Sequence, residues 1–287
     1  MNKLSKKYFS ATALIIIPCI FAHAQNELKV KDVINKIKAN VTCNWADVTV
    51  DNVKAGDPET KVKGIATTFM ATLQVLQQAK AAGCNFVISH EPTFYNHTDD
   101  LTLHTGDPVQ EAKLKFIKEN NMVVFRFHDH LHQTNPDQVY KGVLANLDWE
   151  KYSSNDRFLT VPSRTLKSIV TELEQKLNAK TMRVVGDPNM VISKIGLALG
   201  APGSAAHFKL LNSPECELLI TGESNEWETV PYVQDAGTIG LKKALIVLGH
   251  ADSEEAGMEY TRDWLQKLYS DVTIKFIPAG NPYWQNN

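Results

Sequence analysis

Apolar residues recur along the chain in two spacings, and each spacing predicts a different kind of element. Apolar side chains three or four positions apart predict a helix over residues 28–39. Residues 72–82 are rich in Ala, Gln and Leu without a helix breaker, so they predict a second helix. Gly83 ends that helix, and the apolar run 86–88 follows as a short buried strand. This part of the chain therefore indicates a helix that leads directly into a strand.

The same alternation continues to the end of the sequence. Further strands are predicted at residues 62–67, 122–127, 194–199, 218–223 and 244–248. Further helices are predicted at residues 108–120 and 163–177 and after Ser253. A polar run at residues 151–156 indicates a linker, which divides the mature chain into halves 25–150 and 151–287. Alternating helices and strands predict an α/β fold of two halves, with largely parallel sheets covered by helices.

Metal-type side chains follow three of the predicted strands. The run 86–88 leads to His90 and Glu91, and the run 244–248 leads to His250 and Glu254. The run 122–127 leads to His128, Asp129, His130 and His132. Ligands in open α/β sheets bind beyond the carboxyl ends of the strands, so these side chains lie where chemistry is expected. Histidine with carboxylate is the ordinary ligand set for zinc, iron or manganese.

Several of these candidates have a structural alternative. Ser253 can cap a helix whose first turn contains Glu254, and the carboxylate would then interact only with the helix dipole. His97 lies in a polar loop close to the His90 turn and is either an exposed side chain or a further ligand. Glu223 ends a strand and is predicted to support a metal ligand, to bind the metal itself or to contact a substrate. The glycine turn 200–204 permits phosphate contact or tight packing, and it lacks a complete phosphate-binding motif.

The first 24 residues have the pattern of a secretory leader. Three lysines precede the apolar run 11–21, and Ala22-His23-Ala24 provides a cleavage site, so the mature chain should begin at Gln25. A lipid attachment at Cys19 is the alternative, which Pro18 disfavours. No later segment approaches the ~20 apolar residues of a membrane span. The sequence therefore predicts an exported periplasmic or extracellular protein without a stable membrane anchor.

Charge and cysteine content narrow the possible partners. The chain has 287 residues, of which 43% are hydrophobic and 22% charged. Removing the three lysines of the leader from 30 basic residues leaves 27 against 32 acidic ones. Nucleic acid is therefore an unfavoured partner, because binding to phosphates requires clustered Lys and Arg. Cys43, Cys84 and Cys216 are predicted to be buried free thiols, although one pair could form a disulfide in an oxidising compartment.

Four motifs resemble those of a known family. Residues 83–94 are similar to its glycine, apolar strand and His-His-Pro signature, and His250 with Glu254 resembles its His-x-x-x-Glu motif. Residues 185–188 and 220–223 resemble its middle markers. The chain thereby resembles the NIF-three-like (NGG-one-interacting factor three) family, whose bacterial members are often labelled GTP cyclohydrolase I type two homologues. The resemblance implies two similar α/β halves that enclose a two-metal site in the cleft between them, and a homo-oligomer, possibly a ring-shaped hexamer.

The resemblance also implies a ligand set, with two departures. His90, His250 and Glu254 match metal ligands of the family. Glu91 replaces the second histidine of the signature, and His132 replaces the aspartate of a His-x-x-x-Asp motif that begins at His128. The two exchanges leave the number of imidazoles and carboxylates unchanged. Coordination by Asp129 or His130 remains an alternative.

Three functions are consistent with this sequence. The first is a di-metal hydrolase for a small polar substrate such as a cyclic amide, a heterocycle or a phosphate ester, with Glu91 as proton shuttle. The second is a non-catalytic protein that binds or delivers metal. The third is an interaction scaffold in which the metal only stabilises the fold.

Overall fold

A computed structural model describes residues 27–155 and 157–284. The predicted leader, residues 1–24, lies outside the described residues. Eleven strands are β1 (Val53–Ala55), β2 (Ile65–Thr68), β3 (Phe86–Ser89), β4 (Val123–Arg126), β5 (Ser153–Asn155), β6 (Phe158–Thr165), β7 (Arg183–Val185), β8 (Val191–Ala198), β9 (Leu218–Thr221), β10 (Ala244–Val247) and β11 (Ile274–Phe276) in the described part.

The α-helices of the described residues separate these strands. They are α1 (Val30–Asn40), α2 (Leu73–Ala81), α3 (Pro108–Glu119), α4 (Asp129–Gln133), α5 (Gln138–Leu147), α6 (Leu166–Leu177), α7 (Ser204–Leu211), α8 (Thr229–Thr238) and α9 (His250–Leu268). Short 3-10 turns occur at Leu101–His104 and Glu150–Tyr152. Asp107 caps α3 through the backbone amides of Val109 and Gln110, with Pro108 in its favoured first position.

The strands form two sheets. The first has the order β1-β4-β3-β2-β11, and all of its pairs are parallel except β1 with β4. The second has the order β5-β6-β8-β9-β10-β7, with β8, β9 and β10 parallel at its centre. Its outer pairs are antiparallel, as a strand pair joined by a short turn such as β5 and β6 must be. The α/β class is confirmed, and the second sheet is mixed.

Alternation along each strand divides the apolar side chains between two layers. Phe86 and Ile88 of β3 face a central layer that also contains Ile220 of β9, so both sheets contribute to one core. Val87 instead packs against α2 and α3, and Leu219 packs against α7 and α8. Burying one such side chain fully stabilises the folded state by about 1.5–3 kcal/mol relative to leaving it exposed. The molecule is therefore layered, with α1, α5, α6 and α9 between the two sheets.

The structure corrects three predictions. The predicted linker 151–156 contributes a 3-10 turn and β5 to the second sheet. The helix predicted at residues 163–177 begins only at Leu166, because the backbone up to Thr165 is extended in β6. All three described cysteines are free, and Cys84 and Cys216 are buried as predicted, but Cys43 is only half-buried. Burial raises the pKa of the Cys216 thiol to about 11. Among the described residues, no helix combines the length and apolarity needed to cross a bilayer.

Candidate metal centre

Strand ends from both sheets deliver the candidate ligands to one place. His90 and Glu91 follow β3, and His128 follows β4, its neighbour in the first sheet. His250 and Glu254 occupy the first turns of α9, which follows β10 of the second sheet. The site therefore lies where the two sheets meet, as the predicted cleft requires.

Helix α9 begins earlier than the sequence predicts. Gly249 has φ +102°, a conformation that favours glycine, and the helix starts at His250 directly after it. The predicted cap at Ser253 is wrong, because Ser253 is buried inside the helix. Its Oγ donates to the His250 carbonyl at 2.8 Å and accepts from the Gly200 amide at 3.0 Å. This earlier start places His250 and Glu254 one turn apart on the same face.

Glu254 lies between imidazoles on either side of it. Its Oε2 is 3.1 Å from His250 Nε2 and 3.3 Å from His90 Nε2. Its Oε1 is 3.8 Å from His132 Nε2. Two donors of one tetrahedral zinc ion, each at about 2 Å, lie about 3.3 Å apart. The two oxygens of Glu254 therefore face different imidazoles at distances compatible with shared metal ligation.

Glu91 completes the cluster from the opposite side. Its Oε1 is 3.5 Å from His128 Nε2, 3.6 Å from His250 Nε2 and 3.9 Å from His90 Nε2. The side chain is 10% exposed, so the carboxylate is largely withdrawn from solvent. Among the described residues, two sets of donor atoms are close enough to share an ion, namely His90 with His128 and His132, and His90 with Glu91 and Glu254.

The best test of whether a metal fits is the ring of His90. This imidazole is completely buried, and its Nε2 has no hydrogen-bond partner. Glu254 Oε2 lies 3.3 Å from that nitrogen. A buried polar atom without a partner costs about 1–3 kcal/mol. A divalent ion bound by Nε2 would compensate this cost, so the donor set fits such an ion.

The other ring nitrogen of each candidate histidine is already held. Nδ1 of His90 contacts the Phe127 carbonyl at 3.2 Å. The remaining Nδ1 contacts are His128 to Asp129 at 2.9 Å, His132 to Asp137 at 3.1 Å and His250 to Glu223 at 2.9 Å. Partners of this kind fix the tautomer and the ring orientation of metal-binding histidines. All four rings therefore present Nε2 toward the same volume.

Charge and burial set the protonation of the cluster. Burial alone would lower the pKa of His250, but its hydrogen bond to Glu223 and the charge of Glu254 raise that pKa to about 10. Burial also lowers the pKa of His90, but the charges of Glu254 and Glu91 raise it by more, so the pKa of His90 is raised overall. Burial and the neighbouring His90 lower the pKa of His128 to about 4. Protons therefore compete with a metal for His90 and His250, and metal affinity rises with pH.

Glu254 stays ionised inside this cluster. Burial would raise its pKa, but the charge of His90 and the hydrogen bond from His250 hold the pKa well below its usual value. Gly200 makes room for the carboxylate, because a Cβ at Gly200 would overlap Glu254. This close approach supports tight packing as the role of the glycine turn.

His130 and Asp129, the alternative ligands in the 128–132 segment, make hydrogen bonds to other residues instead of joining a donor set. His130 is buried, with Nδ1 at 2.7 Å from Asp51, Nε2 accepting from the Ala46 amide at 2.9 Å, and its ring stacked on Trp45. Asp129 accepts from Thr49 and from the ring of His128. Burial would raise the pKa of Asp129, but these hydrogen bonds lower it to about 2. Neither side chain belongs to either donor set, although Asp129 holds the His128 ring.

The other two candidates lie at the edge of the cluster. Glu223 reaches it only through Nδ1 of His250, and that hydrogen bond lowers the pKa of Glu223. His97 is exposed, and its ring centre lies 6.1 Å from that of His128. Asp137 was not predicted, although its position before α5 is a helix cap signal. It accepts from the Val139 amide with one oxygen and contacts His132 with the other.

Arg126 was not predicted as a site residue either. It is the last residue of β4, and its guanidinium is completely buried. Its Nε donates to the His90 carbonyl at 3.1 Å, and Nη1 donates to the His97 carbonyl. Nη2 lies 3.6 Å from Glu91 Oε2, while Nη1 lies 3.6 Å from Asp99. Arg126 therefore fixes the turn that carries His90 and Glu91.

Known proteins share this sequence pattern and fold. A protein named GTP cyclohydrolase 1 type 2 homolog from Clostridium acetobutylicum is 24% identical over 246 residues, covering 79% of this chain and 85% of that protein. A Clostridium perfringens protein of the same name is 25% identical over 246 residues, covering 79% and 87%. The crystal structure of Staphylococcus aureus protein SA1388 has a TM-score of 0.72 at 15% identity, covering 91% of this chain and 100% of that one. That likeness shows a shared fold.

The match to a family extends over most of the sequence. Residues 28–282 match the family described as Duf34/NIF3 (NGG1p interacting factor 3). The matched range includes every residue of the cluster described above. The chain therefore belongs to the Duf34/NIF3 family.

Proposed function

We propose that this protein is an exported hydrolase that holds two divalent metal ions and acts on a small polar substrate. The observation that carries the proposal is the convergence of four imidazole Nε2 atoms with the carboxylates of Glu91 and Glu254. His90, His128, His132 and His250 would hold the ions together with Glu254 and Glu91. Zinc, iron or manganese suit this set of nitrogen and oxygen donors. When bound, such ions lower the pKa of water and polarise a carbonyl or phosphoryl group.

Glu91 is the side chain to which we assign proton transfer. One of its oxygens faces the imidazoles of His128 and His250, while the other faces the guanidinium of Arg126. A general base must lie within hydrogen-bond reach of the proton that it takes, and Glu91 is positioned from both sides at the edge of the donor set. We therefore expect Glu91 to receive and return a proton while Glu254 acts only as a ligand.

A cyclic amide, a heterocycle or a phosphate ester would suit this chemistry. The name of the clostridial relatives refers to a cyclohydrolase, which supports a cyclic substrate. The acidic balance of the mature chain gives no long-range attraction to highly anionic substrates. Export rests on the pattern of residues 1–24. A closed homo-oligomer, possibly a hexamer, is part of the same proposal.

A metal-carrying role is the second candidate. The side chains of His128, His132 and His250 are 22%, 26% and 23% exposed, so one side of the cluster is open to solvent. An open side permits an ion to be exchanged with a partner as well as a substrate to enter. Turnover distinguishes the two roles.

The test compares wild type with Glu91→Gln after chelation and reloading with zinc, manganese or iron. We expect wild-type protein to hydrolyse a member of a panel of cyclic amides, heterocycles and phosphate esters, and to lose that activity with chelator. Glu91→Gln keeps the size of the side chain but removes the carboxylate that accepts the proton, so kcat should fall at least about 100-fold, a larger loss than that in metal content.

Metal content measured on the same samples is the control. Loss of metal in proportion to activity would show that Glu91 is only a ligand. Metal-replete wild type that turns over no member of the panel would replace the hydrolase with the metal carrier.

A further inference from the structure

A cavity of about 960 Å³ opens beside the candidate metal centre. His250 and Glu223 line it, as does Phe69, whose ring centre lies 5.3 Å from that of His250. The volume falls within the roughly 300–1,000 Å³ of small-molecule sites. A molecule in this cavity would therefore touch the edge of the donor set.

The C-terminal segment, residues 279–284, forms another wall of the cavity and is fixed to α9. Glu255 accepts from the amides of Ala279 at 2.5 Å and Gly280 at 3.1 Å. Asn281 donates to Asp252 at 2.8 Å. Asp252 and Glu255 lie in the same turns of α9 as His250 and Glu254. The segment is therefore fixed by hydrogen bonds to the helix that carries two candidate ligands.

This segment presents two aromatic side chains at the cavity. Tyr283 and Trp284 both line it, although they are 76% and 81% exposed. Neighbouring exposed aromatic side chains supply apolar area that a bound ring can cover. Their flat faces favour stacking on another planar ring.

The charged groups of the cavity are already paired. Arg183 forms an ion pair with Glu226, and Glu223 is hydrogen-bonded to His250 at 2.9 Å. The amide of Gln74 on this wall can recognise amide-type edges, while Thr181 already accepts a hydrogen bond from Asn281 at 2.7 Å. This balance favours an uncharged ligand over an anion such as a nucleotide phosphate.

From these contacts we infer that the cavity binds the planar ring of an uncharged heterocycle, stacked on Tyr283 or Trp284 beside the metal centre. The inference rests on the proposed function and names its substrate class. His250 lines the same cavity, so a ring bound there shares its site with a member of the donor set. A flexible or saturated molecule of the same size would lack the stacking contact.

The test is ligand binding without turnover. Uracil and 5,6-dihydrouracil are both uncharged cyclic amides, but only uracil is a flat aromatic ring. Saturation-transfer NMR titrations on the whole protein, metal-loaded and metal-depleted, should show binding of uracil. The dissociation constant of dihydrouracil should be about tenfold higher. Trp284→Ala and Tyr283→Ala should weaken uracil binding, by about tenfold at whichever ring stacks. Trp227→Ala is the matched control, because Trp227 is 76% exposed and does not line the cavity.

Equal binding of the two rings would overturn the inference, as would unchanged uracil binding in both variants. A lower assembly mass in Tyr283→Ala or Trp284→Ala, with uracil binding unchanged, would assign the aromatic pair to a contact between copies instead. Failure of the hydrolase proposal appears only as absent turnover, so binding of uracil without hydrolysis separates the two claims.

Discussion

His90 is the residue on which the centre depends most. Its ring is held at Nδ1 by the Phe127 carbonyl, while Nε2 is buried beside Glu254 without a hydrogen bond. Glu254 is 2% exposed and hydrogen-bonded by His250. Removing either side chain takes away a donor that no nearby group can replace at the same point. Metal binding should therefore be more sensitive to these two residues than folding is.

Loss of His90 or Glu254 should lower the metal content of the protein. His90→Ala and Glu254→Ala should each reduce bound zinc or manganese at least about tenfold, since coordination is lost with the donor. Helix content by circular dichroism should stay nearly unchanged. His97→Ala should cause a smaller loss, and His104→Ala, whose ring packs on Tyr95 instead, should cause none. Equal metal in wild type and both principal variants, measured by plasma mass spectrometry, would remove the claim.

The residues of this site were predictable to different degrees. His90, Glu91, His250 and Glu254 follow apolar strands directly, so their position at strand ends could be read from the sequence. The 128–132 segment could not be resolved, because that requires knowing that α4 begins immediately after His128. Its i, i+4 spacing then directs His128 and His132 together and His130 away. Arg126 acts through contacts across the fold, which give no local signal, whereas Asp137 has a helix-cap signal that does not reveal its contact with His132.

At the scale of helices and strands, close packing of α5 against α9 positions the candidate metal centre. Gly257 of α9 faces Val139 of α5 so closely that a Cβ at Gly257 would lie 2.6 Å from the Val139 Cα. Gly142 of α5 makes a similar approach to Ala256. Helix α9 carries His250 and Glu254, and α5 begins at Asp137, which holds the His132 ring. The spacing of these two helices thus affects both sides of the cluster.

The second prediction follows from this packing. Gly257→Ala should destabilise the protein by about 1–3 kcal/mol, because the added methyl group must displace backbone atoms of α5. Gly237→Ala in α8 is the matched control, since a Cβ there would meet no atom within 4 Å. Alanine has the higher helix propensity, so the control should gain up to about 1 kcal/mol. Urea unfolding midpoints would show both effects, and a Gly257→Ala variant as stable as wild type would contradict the close approach.

Helices and strands with a strong local signal were predictable from the sequence. The helices α2 and α3 were predicted within about two residues, because Thr72 and Asp107 cap them and their interiors lack breakers. Helix α5 was missed, although Asp137 directly before it is a helix-cap signal. Strand β11 is only three residues long and pairs with β2, more than 200 positions earlier, so no local pattern indicates it.

At the scale of the whole molecule, the two halves share one core. Strand β11, from the C-terminal half of the sequence, completes the first sheet, and side chains of both sheets pack on the same central helices. Candidate ligands from the two sheets meet at this junction. Metal binding should therefore stabilise the arrangement of the halves relative to each other as well as the local turns.

The third prediction concerns assembly. The family resemblance implies a closed homo-oligomer, and most soluble assemblies are closed and symmetric. Several large apolar side chains remain exposed on one copy, including Leu103, Val109, Ile239 and Leu241, which a neighbouring copy can cover. We expect light scattering of the mature protein to return about six times the mass of one chain. A monomer mass of ~30 kDa at working concentration would contradict the prediction. Repeating the measurement with metal-free His90→Ala separates the two roles of the centre, because an unchanged oligomer in that variant would show that assembly does not depend on the metal.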